Sequence, residues 1–319
     1  MSLIQEPRTP PALASIPSLL VDTVETVLLG KRRQVELAVA ALLAGSHLLI
    51  EDEPGVGKTL LANSIARVVD GRFGRIQGAP DLMPSDIVGV NTYDVETGTW
   101  TFHRGPIFNS VVLIDELNRT TPRAQSALLE SMAERQVTVD GTTYGLPQPF
   151  FVVATQNPAD HAGTFALVEG QRDRFDVAIS LGLPSRDVER QLLMGSGGTI
   201  AATHLEPVAS AAEIDQTRAA IANFHVAEVV VEYVLDLVAA VRNQDDQRQV
   251  LSTRATQSMV AVARAMAAIR GRNYVVPEDL ADIAPAVLAH RARPDGSLAE
   301  GAAWVREVIV AVPAPVPVQ

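Results

Sequence analysis

Between the apolar run Leu48-Leu49-Ile50 and a helix-forming stretch over residues 60–69 lies the segment Glu53-Pro54-Gly55-Val56-Gly57-Lys58-Thr59. A short apolar strand, a glycine loop and a helix in direct succession form the opening unit of a parallel α/β sheet. The glycines let the loop curl so that successive N–H groups point inward, and the N-terminus of the following helix adds a partial positive charge. Such a cradle takes phosphate oxygens. Lys58 offers a full cation to the outer phosphates, and the Thr59 hydroxyl is placed to coordinate Mg²⁺. The residues expected around the phosphates are Glu53, Pro54, Gly55, Val56, Gly57, Lys58, Thr59 and Leu60. The strict loop pattern wants glycine at position 52, where this chain has Asp52. With Glu51 and Glu53 that makes three carboxylates beside a polyanion, and all three are expected to point outward.

Two further apolar runs end in polar chemistry. Val111-Val112-Leu113-Ile114 reads as a buried parallel strand with Asp115 and Glu116 at its carboxyl end, where α/β sheets place their ligands. Asp115 is suited to hold Mg²⁺ through its water shell, and Glu116 to polarise an attacking water. Residues 150–155 form another strand, followed by Gln156-Asn157-Pro158. An amide such as Asn157 can orient water beside phosphates without adding negative charge, although Asn-Pro is equally a turn former.

Composition narrows the functional classes. The chain has 319 residues, 47% of them apolar and 20% charged, which suits a globular protein of about two domains. Lys plus Arg is 26 and Asp plus Glu 37, a formal net charge of −11 that repels nucleic-acid backbones and anionic membranes. The chain has no cysteine, which excludes disulfides, thiol catalysis and Cys-based metal sites, and its six histidines do not share a helical turn. The N-terminus does not read as a signal peptide, and no apolar stretch is long enough to span a bilayer. A soluble, cytoplasmic protein is expected.

Along the chain, prolines at 7, 10, 11 and 17 suggest an irregular lead-in over residues 1–17. Short strands then alternate with helices such as residues 35–44, 59–69 and 123–134, the mark of an α/β sheet. Two hairpins interrupt this alternation, residues 91–94 with 99–102 and residues 137–139 with 142–144 around Asp140-Gly141. They are candidates either for projecting, working elements or for covers over a sheet edge. Past Leu183-Pro184 helical periods dominate. Val230, Val234, Leu237, Val238 and Val241 form one stripe, and Met259, Val262, Ala263 and Met266 another. Ser252 is placed to cap the second of these helices and Pro277 to open a third. The expected organisation is an α/β nucleotide-binding domain over residues 18–184, a smaller all-α domain over 185–312, and a Pro-rich tail over 313–319.

In order, the motifs resemble those of AAA+ ATPases, and more narrowly of the MoxR group. The resembling segments are QGAPDLMPSDIVG (77–89), GPIF (105–108), DELNR (115–119), QSALLESMAERQVTVDG (125–141), FFVVATQNP (150–158) and QRDRF (171–175). The resemblance implies that Lys58 and Thr59 are the Walker A residues, Asp115 and Glu116 Walker B, and Asn157 sensor 1. It implies that Arg174 is the arginine finger reaching a neighbouring subunit's γ-phosphate, and that Arg254 is sensor 2 from a helical lid. Arg172 stands where the family more often has leucine, so which arginine acts in trans stays open. The hairpins resemble inserts that face a ring's pore, with Tyr93, Trp100 and Tyr144 candidates either for gripping a client or for core packing. By the same resemblance the chain is a Mg²⁺-dependent ATPase that forms a ring, expected to be a hexamer. It would remodel or mature protein clients, cofactor insertion included, beside a separate chain carrying a von Willebrand factor A domain. Two alternatives are a DNA-directed AAA+ motor, which the charge argues against, and a nucleotide-switched scaffold with little turnover, which Glu116, Asn157 and Arg174 argue against.

Overall fold

The computed structural model describes residues 13–157, 164–244, 251–292 and 296–315. Most of the expected lead-in, Pro158 and the end of the Pro-rich tail lie outside those residues. A 3-10 turn at Leu13–Ser15 leads into α1 (Ile16–Glu25), whose first-turn Pro17 suits a position where no N–H is needed. The helix therefore starts inside the expected lead-in, and its Ile16, Leu20, Val21 and Val24 are fully buried. Helix α2 (Arg32–Leu43) follows, then β1 (Leu48–Glu51), α3 (Lys58–Val68), β2 (Phe73–Gln77) and the short α4 (Pro84–Val88). The first hairpin is β3 (Gly89–Asp94) and β4 (Thr99–Arg104), paired antiparallel. Next come β5 (Val111–Asp115) and α5 (Pro122–Glu134), capped by the Thr121 hydroxyl. The second hairpin is β6 (Gln136–Val139) and β7 (Thr142–Gly145), and β8 (Phe151–Gln156), α6 (Glu169–Arg172) and β9 (Val177–Ile179) complete this part.

Five strands form one parallel sheet in the order β2-β5-β8-β1-β9. Residues 111–114 of β5 and 151–154 of β8 are at most 1% exposed, as expected for central strands covered on both faces. Register aligns the carboxyl ends: Gln77 lies opposite Asp115, and Glu51 opposite Gln156. Both hairpins lie outside this sheet.

Beyond β9 the named elements are all helical: α7 (Arg186–Leu193), α8 (Gly198–Thr203), α9 (Ala211–Ala222), α10 (Glu228–Arg242), α11 (Thr253–Ile269), α12 (Pro277–Ala292) and α13 (Leu298–Val310). The Ser252 hydroxyl accepts from the Ala255 amide and caps α11, and Pro277 opens α12. Both apolar stripes read from the sequence are buried. Helix α11 packs on α1 and α2, and α12 packs against β9. Arg291 of α12 is buried and pairs with Asp173 at 2.9 Å and Asp176 at 3.2 Å, which ties the segment between α6 and β9 to the helical part.

Candidate active site

The loop between β1 and α3 turns on Gly55 (φ 88°) and Gly57 (φ 104°), backbone angles that side chains rarely adopt. Lys58 is 9% exposed, and its Nζ donates to the Asp52 carbonyl at 2.7 Å, which holds the ammonium against the loop. A cavity of about 500 Å³ opens over the loop, a size suited to a small-molecule ligand. Pro54, Gly55, Val56, Gly57, Lys58, Thr59, Leu60, Asp115, Glu116 and Asn157 line it, all expected site residues. Val27, Leu28 and Leu29 beyond α1, with Val188 and Leu192 of α7, add an apolar flank beside the polar loop. Glu53 is exposed and outside the lining; Arg174 and Arg254, both half-buried, also lie outside it.

The three carboxylates at the start of the loop do not all point outward. Only Glu53 is exposed. Asp52 turns sideways into the sheet, where its Oδ2 accepts from the amides of Leu181 and Gly182 and from the Ser180 hydroxyl. These donors satisfy its charge away from the loop, which is why a carboxylate is tolerated where glycine is usual. Glu51 Oε1 accepts from the Leu298 amide at the start of α13, at 2.7 Å. Burial pushes the Glu51 pKa up.

At the carboxyl end of β5, the Thr155 hydroxyl donates to Asp115 Oδ1 at 2.8 Å and accepts from the Glu116 amide at 2.9 Å. Glu116 adopts a left-handed backbone (φ 57°), a costly conformation that aims its carboxylate off the strand. Its Oε2 accepts from Gln77 Nε2 at 3.1 Å and pairs with Arg119 at 3.0 Å. Arg75 pairs with Asp115 at 2.7 Å and also lines the cavity. Arg75, Gln77 and Thr155 were not anticipated from the sequence. The available signal was polar residues at alternate positions of β2 beside a strand that ends in acids.

Thr59 and Asp115 line one cavity, and among the described residues no group of three or more His, Cys, Asp or Glu could hold a metal. One hydroxyl and one carboxylate suit Mg²⁺, which keeps several waters and draws other oxygens from phosphate. Arg254 Nε lies 3.5 Å from Asp176, and its Nη2 donates to the Arg174 carbonyl. Arg174 itself is half-buried and has no carboxylate within 4 Å among the described residues, because Arg291 and Arg254 hold Asp173 and Asp176. Of the hairpin aromatics, Tyr144 is stacked on Phe102 (centroids 4.3 Å) and packs against the core. Tyr93 and Trp100 touch each other yet remain 51% and 68% exposed.

Residues 47–177 match the family described as ATPases associated with various cellular activities, and residues 239–308 match the AAA lid domain. Parallel sheet, phosphate loop, paired acids and helical lid together define an AAA+ ATPase fold. The crystal structure of a protein described provisionally as an ATPase, from Cytophaga hutchinsonii, superposes with a TM-score of 0.82 at 32% identity, covering 95% of this chain and 96% of that one. The chain is 40% identical to the uncharacterised YeaC of Bacillus subtilis over 93% of its own length and 94% of that protein. It is 39% identical to chaperone MoxR1 of Mycobacterium tuberculosis (84% of this chain, 73% of that one) and 29% identical to MoxR of Paracoccus denitrificans (83% and 85%). The chain belongs to the MoxR-type AAA+ ATPases.

Proposed function

We propose that the protein hydrolyses ATP to ADP and phosphate with Mg²⁺ and uses the cycle to remodel partner proteins. The observation that carries this reading is the convergence of Lys58, Thr59, Asp115, Glu116 and Asn157 on one cavity. Inward N–H groups of residues 55–59 and the Lys58 ammonium bind and orient the phosphates. Thr59 and Asp115 would hold Mg²⁺, which supplies charge neutralisation on the phosphate oxygens when bound. Glu116 polarises the attacking water, and Asn157 orients it. The apolar flank at Val27–Leu29 and Val188 fits the flat face of the base.

Arg174 supports assembly into a ring, with six subunits as the expected number. Its backbone is pinned by neighbours while its guanidinium meets no carboxylate among the described residues, which suits a cation offered to an adjoining protomer. A finger supplied in trans contributes about 10³–10⁵ in rate and makes turnover depend on assembly. Arg254, held at the start of α11 beside Arg174, is the lid arginine assigned to sense the nucleotide. The exposed pair Tyr93 and Trp100 on the β3–β4 hairpin supports a client-gripping role. The chaperone name of one relative supports protein clients. A separate von Willebrand factor A-domain chain as partner, and cofactor insertion as one outcome, rest on the resemblance to the MoxR group alone.

Turnover and nucleotide binding measured side by side test the reading. Lys58→Ala should lose ATP binding. Glu116→Gln should bind ATP but hydrolyse it about 10²-fold more slowly or worse, because an amide is a poor base. Turnover per protomer in the parent should rise with protein concentration. Unchanged hydrolysis in Glu116→Gln removes that residue from the chemistry.

A further inference from the structure

A second cavity, of about 400 Å³, lies beyond the end of β1 away from the phosphate loop, where the nucleotide chemistry makes no use of it. Leu43 and Ala44 at the end of α2 contribute to its lining. Three arginines line it, Arg135 after α5, Arg218 of α9 and Arg264 of α11, against one acidic residue, Asp215. Arg218 and Arg135 both bring Nη2 up to Gly45, and only the missing side chain leaves room. A Cβ on Gly45 would overlap Arg218 Nη2 and stand 3.2 Å from Arg135 Nη2.

The local charge is out of balance. The Arg218 side chain is 11% exposed, and among the described residues its one ion pair is Asp215 at 3.3 Å. Burial first, then the neighbouring Arg135 charge, hold its pKa below the usual arginine value. Arg135 donates to the Gly45 carbonyl at 3.1 Å, and Arg264 to the Phe224 carbonyl at 3.0 Å. Their remaining N–H groups, and Nε and Nη2 of Arg218, have no protein acceptor among the described residues. Arg135 is exposed while Arg218 and Arg264 are half-buried, and three like charges beside one carboxylate repel one another unless an anion sits among them. Guanidinium forks match phosphate and carboxylate oxygens in bidentate fashion.

We propose that this groove is an oxyanion site, in which a phosphate or carboxylate group is clamped by Arg135, Arg218 and Arg264. Arg135 belongs to the sheet part and the other two to the helical part, so a bound anion ties the two together. The site is independent of the nucleotide reading.

Thermal unfolding at fixed ionic strength tests it, with inorganic phosphate replacing chloride. The Lys58→Ala background keeps the phosphate loop from competing. Phosphate at ten times its dissociation constant should raise the midpoint by about 2 °C. Arg218→Gln and Arg264→Gln should each abolish that rise, while Arg123→Gln at the exposed start of α5 should keep it. A second arm replaces phosphate with a glutamate-rich hexapeptide: a rise with phosphate alone assigns a free anion, and a rise with the peptide assigns a protein carboxylate. Either supports the site. No rise with either probe, or a rise that survives both glutamine variants, overturns it. Should Arg218→Gln fail to fold, Arg264→Gln decides.

Discussion

Gly78 shows how one residue sets the chemistry of another. It follows β2, and its amide donates to the Asp115 carbonyl at 2.7 Å. A Cβ on Gly78 would overlap the Glu116 carbonyl oxygen. Glu116 already sits in a left-handed conformation and cannot retreat without moving its carboxylate. Gly78→Ala should therefore lower kcat by about 10²-fold through misplacement while ATP binding persists. Stability should fall by about 1–3 kcal/mol from overpacking. Single-turnover kinetics with a urea titration would check both, and an unchanged kcat would show that the Glu116 position tolerates displacement. Sequence reading placed Glu116, Asp115, Lys58 and Thr59 at the candidate site, where they line one cavity, because each stands in a local motif. It missed Arg75, Gln77 and Thr155 because their role depends on which strand lies next to which, a fact of sheet order rather than of local spacing.

Among the elements, α13 meets the sheet through Glu51. The carboxylate accepts from the first amide of the helix, yet its pKa is raised above 4.5 because burial outweighs that hydrogen bond. A raised folded pKa means that this group favours the native state below 4.5 and opposes it as pH climbs. Glu51→Gln retains the acceptor oxygen without the charge, so it should be at least as stable as the parent at pH 7, the difference vanishing toward pH 4. Glu51→Ala should lose about 1 kcal/mol. Denaturant midpoints at pH 4 and 7 would decide, and a large loss in Glu51→Gln at pH 7 would show that the charge itself favours docking. The legible elements were those with a strong pattern: β1, β5 and β8 from their apolar runs, the β6–β7 hairpin from Asp140-Gly141, and α10 and α11 from their stripes. Strand β9 went unseen because three residues, Val177–Ile179, carry no period. The start of α1 was obscured by the nearby prolines.

For the molecule as a whole, two buried histidines set the acid limit. His47 accepts the Val152 amide on Nδ1 at 3.1 Å, and His290 Nε2 lies 2.7 Å from the Phe175 carbonyl. Burial lowers their pKa values from 6.5 to about 4 and about 3 respectively. Both remain neutral in the native state while the unfolded chain takes up protons below 6.5. Their stabilisation is thus complete above pH 6.5 and is lost as pH falls toward 4 and then 3, approaching about 1.4 kcal/mol per pH unit for each. Urea midpoints between pH 7 and 4.5 should show this decline, and His47→Gln should flatten it. A pH-independent midpoint would mean that both rings take up protons in the folded state as readily as in the unfolded chain. Stability is one property that spans the two parts, and the chain's own path between them is another. Asp52 meets the Lys58 ammonium through its carbonyl, while its carboxylate grips the chain leaving β9 at Leu181 and Gly182. The lysine of the loop and the path into α7 are thus held by the two ends of a single residue. Any substitution at position 52 that loses the carboxylate frees the chain after β9 while leaving the main-chain contact to Lys58 available.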